Sequence, residues 1–181
     1  MTSPSSSSAI AAELRIAFDR ERAAPFSSIA SVQTENLIGV RVSRDAYAIR
    51  VSEISGLVTD RKIIALPSSL PELLGLSGIR GALVPVYSLA ALLGYGAESG
   101  AVRWLVLCGT EEPFALAFSG FEGYARVAQA QLYSAEQKDV TRTFVTHVAR
   151  TAEMVRAVVS IPNFRQAIQE RRGKNGVPKE P

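Results

Sequence analysis

The sequence contains one cysteine, Cys108, and one histidine, His147. A single cysteine excludes a disulfide within the chain, and its place in the apolar run 104–108 predicts a buried, inert thiol. A single histidine excludes a metal site built from several histidines and leaves only His147 as the base of a serine–histidine–acid triad. His147 lies in the strand-like run 145–148, where a structural histidine is far more common than a catalytic base.

The phosphate-binding pattern Gly-x-x-x-x-Gly-Lys is also absent from the sequence. No other combination of residues predicts nucleophilic or acid–base catalysis. We therefore expect no catalytic residues, no metal ion and no cofactor, and we interpret the chain as a binding module rather than an enzyme.

Long hydrophobic runs are missing as well. No run approaches the roughly 18 apolar residues of a transmembrane helix, and residues 1–8 lack the basic-then-apolar order of a secretory signal. We therefore expect a cytoplasmic protein that does not insert directly into a membrane. The net charge is +3, and the segment from Arg165 to the C terminus carries all of it. Because nucleic-acid-binding proteins normally carry positive charge on the folded body, this distribution argues against DNA or RNA as the main ligand.

The two ends of the chain differ in composition from the middle. The serine-rich residues 1–8 predict a disordered leader, and residues 173–181 predict a basic, flexible tail. Residues 9–24 predict an amphipathic helix, because apolar side chains such as Ile10, Leu14 and Phe18 recur every three or four positions. The pattern leaves open whether this helix packs on its own domain or docks on a partner.

From Leu37 onward the apolar residues follow the period of strands. The predicted elements are hairpins at 37–42 with 47–51 and at 104–108 with 114–118, a strand at 121–127 that continues the second hairpin as a meander, strands at 144–149 and 154–160, and a helix at 162–172. In each half, hairpin strands lead to an apolar strand and a short helix. This repetition indicates a duplicated, mostly β architecture.

The segment 70–94 is the most informative part of the sequence. It begins with a proline turn and contains Gly75, a strand, a sharp Arg80-Gly81 corner, a second strand and a helix that ends at a glycine. Because arginine is almost never fully buried without a partner, we expect Arg80 to stand at the surface on a rigid support, as binding residues often do. The alternative is a structural ion pair with Glu53 or Glu72 of the same chain.

This segment resembles the signature of the CheW-like chemotaxis coupling proteins, and the resemblance extends over roughly residues 37–168. It implies a CheW-like domain at 35–172 that folds as two intertwined SH3-like, five-stranded β-barrel subdomains with short helices. The subdomains would span roughly 35–95 and 100–170 and follow the N-terminal helical extension. The resemblance also implies that the protein has no catalytic activity.

CheW-like proteins are adaptors that join the regulatory domain of a CheA-type histidine kinase to the cytoplasmic tips of chemoreceptors. The resemblance therefore implies these two partners and recruitment to membrane receptor arrays. It implies a receptor-binding surface that contains Ile54, Gly75, Leu76, Arg80 and Gly81. It implies a kinase-binding surface that contains Leu57, Val58 and Ile63.

Three positions depart from the family pattern. An acidic residue is common at Gly56, an asparagine at Gly78 and an aspartate at Ser88. None is a large apolar position, so the core should tolerate these departures, and their effect should fall on the partner surfaces. The alternative function is that of an SH3-like barrel protein of transcription or RNA handling with a basic tail. A nucleic-acid-binding surface of this kind needs aromatic and basic residues interleaved as a platform for stacked bases, and the present sequence does not show that arrangement.

Overall fold

The structure, a computed structural model, describes residues 33–96, 102–135, 144–152 and 154–175. The predicted leader and N-terminal helix lie outside these residues, as does the end of the predicted tail from residue 176. The strands are β1 Thr34–Val42, β2 Asp45–Arg50, β3 Gly56–Thr59, β4 Leu73–Ile79, β5 Ala82–Ser88, β6 Trp104–Cys108, β7 Phe114–Phe118, β8 Gly120–Ala128, β9 Leu132–Ser134, β10 Val145–Arg150 and β11 Val155–Val159. The helices are α1 Leu89–Leu92 and α2 Ile161–Asn175, and single 3-10 turns span Val51–Glu53 and Gln129–Gln131.

Six strands form one sheet in the order β8-β1-β2-β11-β10-β9. β1 and β2 form the predicted hairpin, in which Val42 lies opposite Asp45 and Ser43 has a φ of 55°. Positive φ values in a two-residue turn match the right-handed twist of the flanking strands. β2 also pairs in parallel with β11, where Ala48 lies opposite Val158, so this sheet joins early and late strands of the sequence.

Five strands form a second sheet in the order β3-β6-β7-β5-β4. The predicted hairpin of β6 and β7 is confirmed, with Trp104 opposite Phe118. β5 and β7 pair in parallel, and Tyr87 lies opposite Leu116. β7 thus has a strand neighbour on each of its edges.

The filled edges of β7 explain why the predicted meander is wrong after the second hairpin. β8 follows β7 in the sequence but pairs with β1 of the other sheet, where Leu37 lies opposite Ala125. Because β6 and β5 occupy both edges of β7, no backbone donors or acceptors remain there for β8. The chain therefore crosses from one sheet to the other.

Both sheets combine strands from the two halves of the sequence, which confirms the mostly β, intertwined architecture. The β8-to-β9 sheet has a sixth strand because the three-residue β9 pairs with β10. With three residues, β9 is too short to show the apolar alternation that predicts the other strands.

Buried apolar side chains form a core that draws on both sheets and both helices, here called the inter-sheet core. It includes Val40, Phe118 and Phe164, which are fully buried. Smaller clusters lie within each sheet. Cys108 belongs to the inter-sheet core, and burial raises the pKa of its thiol, so the thiolate that reactive cysteines require is disfavoured.

A serine supplies the N-cap of α1. The side-chain oxygen of Ser88 accepts a hydrogen bond from the backbone N–H of Ala91 at 3.2 Å. Serine and aspartate are comparably good N-caps. The departure from the family pattern at Ser88 therefore keeps the start of this helix intact.

Candidate partner-binding surface

The hairpin of β4 and β5 ends in a two-residue turn formed by Arg80 and Gly81, since Ile79 lies opposite Ala82. Both turn residues have positive φ, 52° for Arg80 and 81° for Gly81. This combination makes the tightest hairpin turn, but the left-handed conformation costs a residue other than glycine roughly 1–2 kcal/mol. Strained residues of this kind are concentrated at binding sites, where the surrounding strands hold them in place.

The Arg80 side chain is exposed and forms no hydrogen bond or ion pair with any described residue. The two carboxylates considered as its partners are engaged elsewhere. Glu53 lies 3.4 Å from Nη1 of Arg50, and the buried Glu72 pairs with Arg171. Neither Glu53 nor Glu72 therefore forms the structural ion pair with Arg80.

Gly75 positions the segment that covers the outer edge of β4. Ile64 and Leu76 exchange two backbone hydrogen bonds, with N–O distances of 2.8 and 2.9 Å. A Cβ at Gly75 would lie 2.7 Å from the carbonyl carbon of Ile64 and 2.9 Å from Cα of Ala65, and the φ of Gly75 is 141°. Gly75 is itself buried, so it supports the predicted receptor-binding surface through Ile64 and Leu76.

An apolar face lies beside the Arg80-Gly81 turn. Cross-strand pairing places Ile64, Leu76 and Pro85 in one row and Gly78 and Leu83 in the next. Residues directly opposite each other point to the same face of a sheet. Leu83 is 70% exposed and Ile64 is 57% exposed. Exposed apolar side chains grouped on one face are typical of protein interaction surfaces.

Of the apolar residues on this face, the family resemblance implies Leu76 as receptor-binding and does not indicate Leu83 or Ile64. Residues 82–86 are apolar throughout, so their pattern does not show which side chains point outward. A Cβ at Gly78 would meet nothing within 4 Å. The glycine at this position, one of the three departures from the family pattern, therefore leaves Leu83 uncovered.

The residues predicted to bind the kinase lie on or near β3, an edge strand whose one neighbour among the described strands is β6. Leu57 and Val58 are adjacent, so their side chains point to opposite faces. Leu57 and Ile54 pack against the inter-sheet core, whereas Val58 and Ile63 pack against the core of the five-stranded sheet. All four are half-buried. A partner that meets both Leu57 and Val58 must therefore approach along the strand edge.

The curvature of the five-stranded sheet brings the tip of the β4–β5 hairpin back to β3. A Cβ at Gly56 would lie 3.0 Å from Nη2 of Arg80 and 3.6 Å from Cδ1 of Leu107. Gly56 is two residues beyond Ile54. Arg80 thus reaches β3, the strand that carries Leu57 and Val58 of the predicted kinase-binding surface.

His147 belongs to a cluster of hydrogen-bonded side chains centred on Arg50. Arg50 lies 2.7 Å from Glu35 and 3.4 Å from Glu53, and it donates to Oγ1 of Thr146 at 3.2 Å and to Nδ1 of His147 at 2.8 Å. Because arginine can only donate, Nδ1 accepts and Nε2 carries the proton. Burial and, secondly, the charge of Arg50 lower the pKa of His147. The geometry gives His147 a structural role that ties β2 to β10.

A separate groove of about 610 Å³ opens on the six-stranded sheet. Its lining includes Leu37, Ala48 and Met154 together with the ion pair of Arg156 and Glu122. None of the predicted receptor-binding or kinase-binding residues lines it. Within the described ranges, no group of three or more His, Cys, Asp or Glu side chains is placed to hold a metal ion.

Comparison with known families settles the relationship that segment 70–94 suggested. A model of the CheW-like domain family matches residues 36–171. The chain belongs to the CheW-like domain family. The crystal structure of the scaffolding protein TtCheW from Thermoanaerobacter tengcongensis is similar to it, with a TM-score of 0.65 and 14% sequence identity. The match covers 71% of this chain and 90% of TtCheW, and it confirms the expected fold. No curated protein sequence matches the chain significantly.

CheW-like proteins are scaffolds of chemotaxis signalling and not enzymes. Membership therefore gives this chain a scaffold or adaptor role in such signalling. In the part of the chain that the structure describes, no helix has both the length and the apolar character needed to cross a membrane.

Proposed function

We propose that this CheW-like protein is a non-catalytic adaptor that couples the cytoplasmic tip of a chemoreceptor to the regulatory domain of a CheA-type histidine kinase. In this role it is recruited from the cytoplasm to receptor arrays at the membrane. The observation that carries the proposal is Arg80, which is exposed, has no ion-pair partner among the described residues and lies in a left-handed turn near the exposed Leu83. An arginine next to apolar side chains is the usual composition of an interface hot spot.

The receptor-binding surface in this proposal combines the predicted Ile54, Gly75, Leu76, Arg80 and Gly81 with the exposed Ile64 and Leu83. The kinase-binding surface is the edge of β3, with Leu57 and Val58, and the neighbouring Ile63. An edge strand offers unpaired backbone groups to a partner, and its half-buried side chains add apolar contacts. The two proposed sets of residues share no member, although Arg80 of the first set reaches Gly56 of β3.

Titration calorimetry with the two purified partners of the same organism tests the proposal. We expect the kinase regulatory domain and the receptor tip each to bind with a dissociation constant in the micromolar range, on the order of −8 kcal/mol, as transient signalling interfaces do. We also expect the three proteins to form one complex. Failure to bind any CheA-type kinase of the organism would contradict the proposal.

The Arg80→Ala variant tests the receptor-binding surface. Interface arginines are frequent hot spots, so we expect receptor-tip binding to weaken by about 2 kcal/mol, roughly thirtyfold. The free energy of unfolding should change by no more than about 0.5 kcal/mol, because the side chain has no partner within the described chain. Arg126→Ala is the matched control, since it removes the same charge from an exposed position on β8. A large loss of stability with binding intact in the folded fraction would instead assign Arg80 to holding the turn.

A further inference from the structure

Gly56 is a position where glycine is not required by the backbone. Its φ lies outside the left-handed region, unlike those of Gly75 and Gly81. The absence of a side chain leaves room for the guanidinium of Arg80. A Cβ at Gly56 would lie only 3.0 Å from Nη2 of that arginine. Since the guanidinium is the far end of a flexible side chain, it could move aside for a small side chain at this position. The residue at position 56 therefore decides which chemical group lies beside the Arg80 guanidinium, and the fold does not require it to be glycine.

The positive charge beside Gly56 is not compensated from within the described chain. The carboxylates on either side of β3 have other partners, since Glu53 pairs with Arg50 and Asp60 lies 3.3 Å from Nε of Arg103. Arg80 pairs with neither. An exposed guanidinium that no described carboxylate neutralises is a favourable partner for a carboxylate from another molecule, because the guanidinium donates charge-assisted, often bidentate, hydrogen bonds to it.

We propose that Gly56 determines partner specificity, because it withholds a carboxylate from Arg80 so that the partner must supply one. This inference rests on the proposed function and assigns the chemistry of the receptor-tip surface that Arg80 meets. That surface carries an acidic side chain that docks on Arg80 beside Gly56. A partner with an amide in place of the acid leaves the charge of Arg80 unpaired in the interface and is rejected.

The variants Gly56→Asp and Gly56→Asn test this proposal, because they have the same shape and differ in charge. The aspartate supplies Arg80 with a carboxylate of its own chain and places a negative charge opposite the partner's acid. We expect receptor-tip binding to be weaker in Gly56→Asp than in Gly56→Asn by about thirtyfold at low salt. The difference should shrink as salt screens the charges.

The partner supplies a second arm of the experiment. Acidic residues of the receptor tip are changed one at a time to the corresponding amides. For one of them, binding to the wild-type chain should fall by about thirtyfold, and binding to Gly56→Asp should fall much less. Equal receptor-tip binding by Gly56→Asp and Gly56→Asn, with the wild-type chain binding normally, would overturn the inference alone. A wild-type chain that does not bind the tip would overturn the proposed function and this inference with it.

Discussion

Replacement of Gly75 by alanine should cost this protein much more stability than its size suggests. The added Cβ would lie 2.7 Å from the carbonyl carbon of Ile64 and 2.9 Å from Cα of Ala65, distances that real Cβ atoms do not show. Both neighbours are backbone atoms, so no side chain can rotate away to relieve the contact. The segment that contains Ile64 must therefore move off β4, or the strand itself must distort.

The expected magnitude follows from what is lost. Separation of the segment breaks the two hydrogen bonds that Ile64 exchanges with Leu76, each of which contributes about 1 kcal/mol. To the extent that the strand keeps its conformation, alanine must also adopt the φ of 141°, which costs about 1–3 kcal/mol. We therefore expect the free energy of unfolding to fall by roughly 2–4 kcal/mol, which lowers the melting temperature by roughly 4–16 °C for a chain of this length.

Gly78→Ala is the matched control, because this glycine is in the same strand and its Cβ would meet nothing within 4 Å. Its melting temperature should stay unchanged or rise slightly, since alanine restricts the unfolded chain. Thermal denaturation measures both variants, and hydrogen exchange of the Ile64 and Leu76 amides reports directly on the bridge. A Gly75→Ala protein with unchanged melting temperature and protected amides at both positions would refute the reasoning.

Two further predictions concern His147 and the C terminus. Burial and a neighbouring arginine hold the pKa of His147 below its ordinary value of 6.5, so the unfolded chain takes up this proton first and stability falls as pH drops below about 6.5. The non-titrating variant His147→Asn should therefore show a smaller fall in melting temperature between about pH 7 and pH 5, and an equal fall would contradict the assignment. A chain that ends at Arg172 should be as stable as the full chain, whereas one shortened by two more residues loses Arg171, leaves the buried Glu72 unpaired and should lose about 1–3 kcal/mol. Equal melting temperatures of the two shortened chains would show that this ion pair does not stabilise the fold.

The sequence alone determined the features that depend on neighbouring residues. Alternating apolar residues and turn residues predicted both hairpins, and the pattern of segment 70–94 predicted the Arg80-Gly81 corner that the structure confirms. The same segment indicated the CheW-like family, because each of its elements, from the proline turn to the final helix, depends on residues that are close in sequence. The N-terminal helix and the limits of the two subdomains stay predictions of the sequence.

The tertiary structure decided everything that depends on residues far apart in the sequence. β8 pairs with β1 and does not continue the predicted meander, because β5 occupies the edge of β7 that β8 would need. The position of β5 follows from the tertiary structure and not from the local sequence. Leu83 is exposed although it stands in an apolar run, since burial depends on what covers a strand. The sequence also allowed Arg80 to pair with Glu53 or Glu72. In the folded chain these carboxylates pair with Arg50 and Arg171 instead. Pairing of side chains and of strand edges is a property of three-dimensional proximity, which the local pattern of residues does not contain.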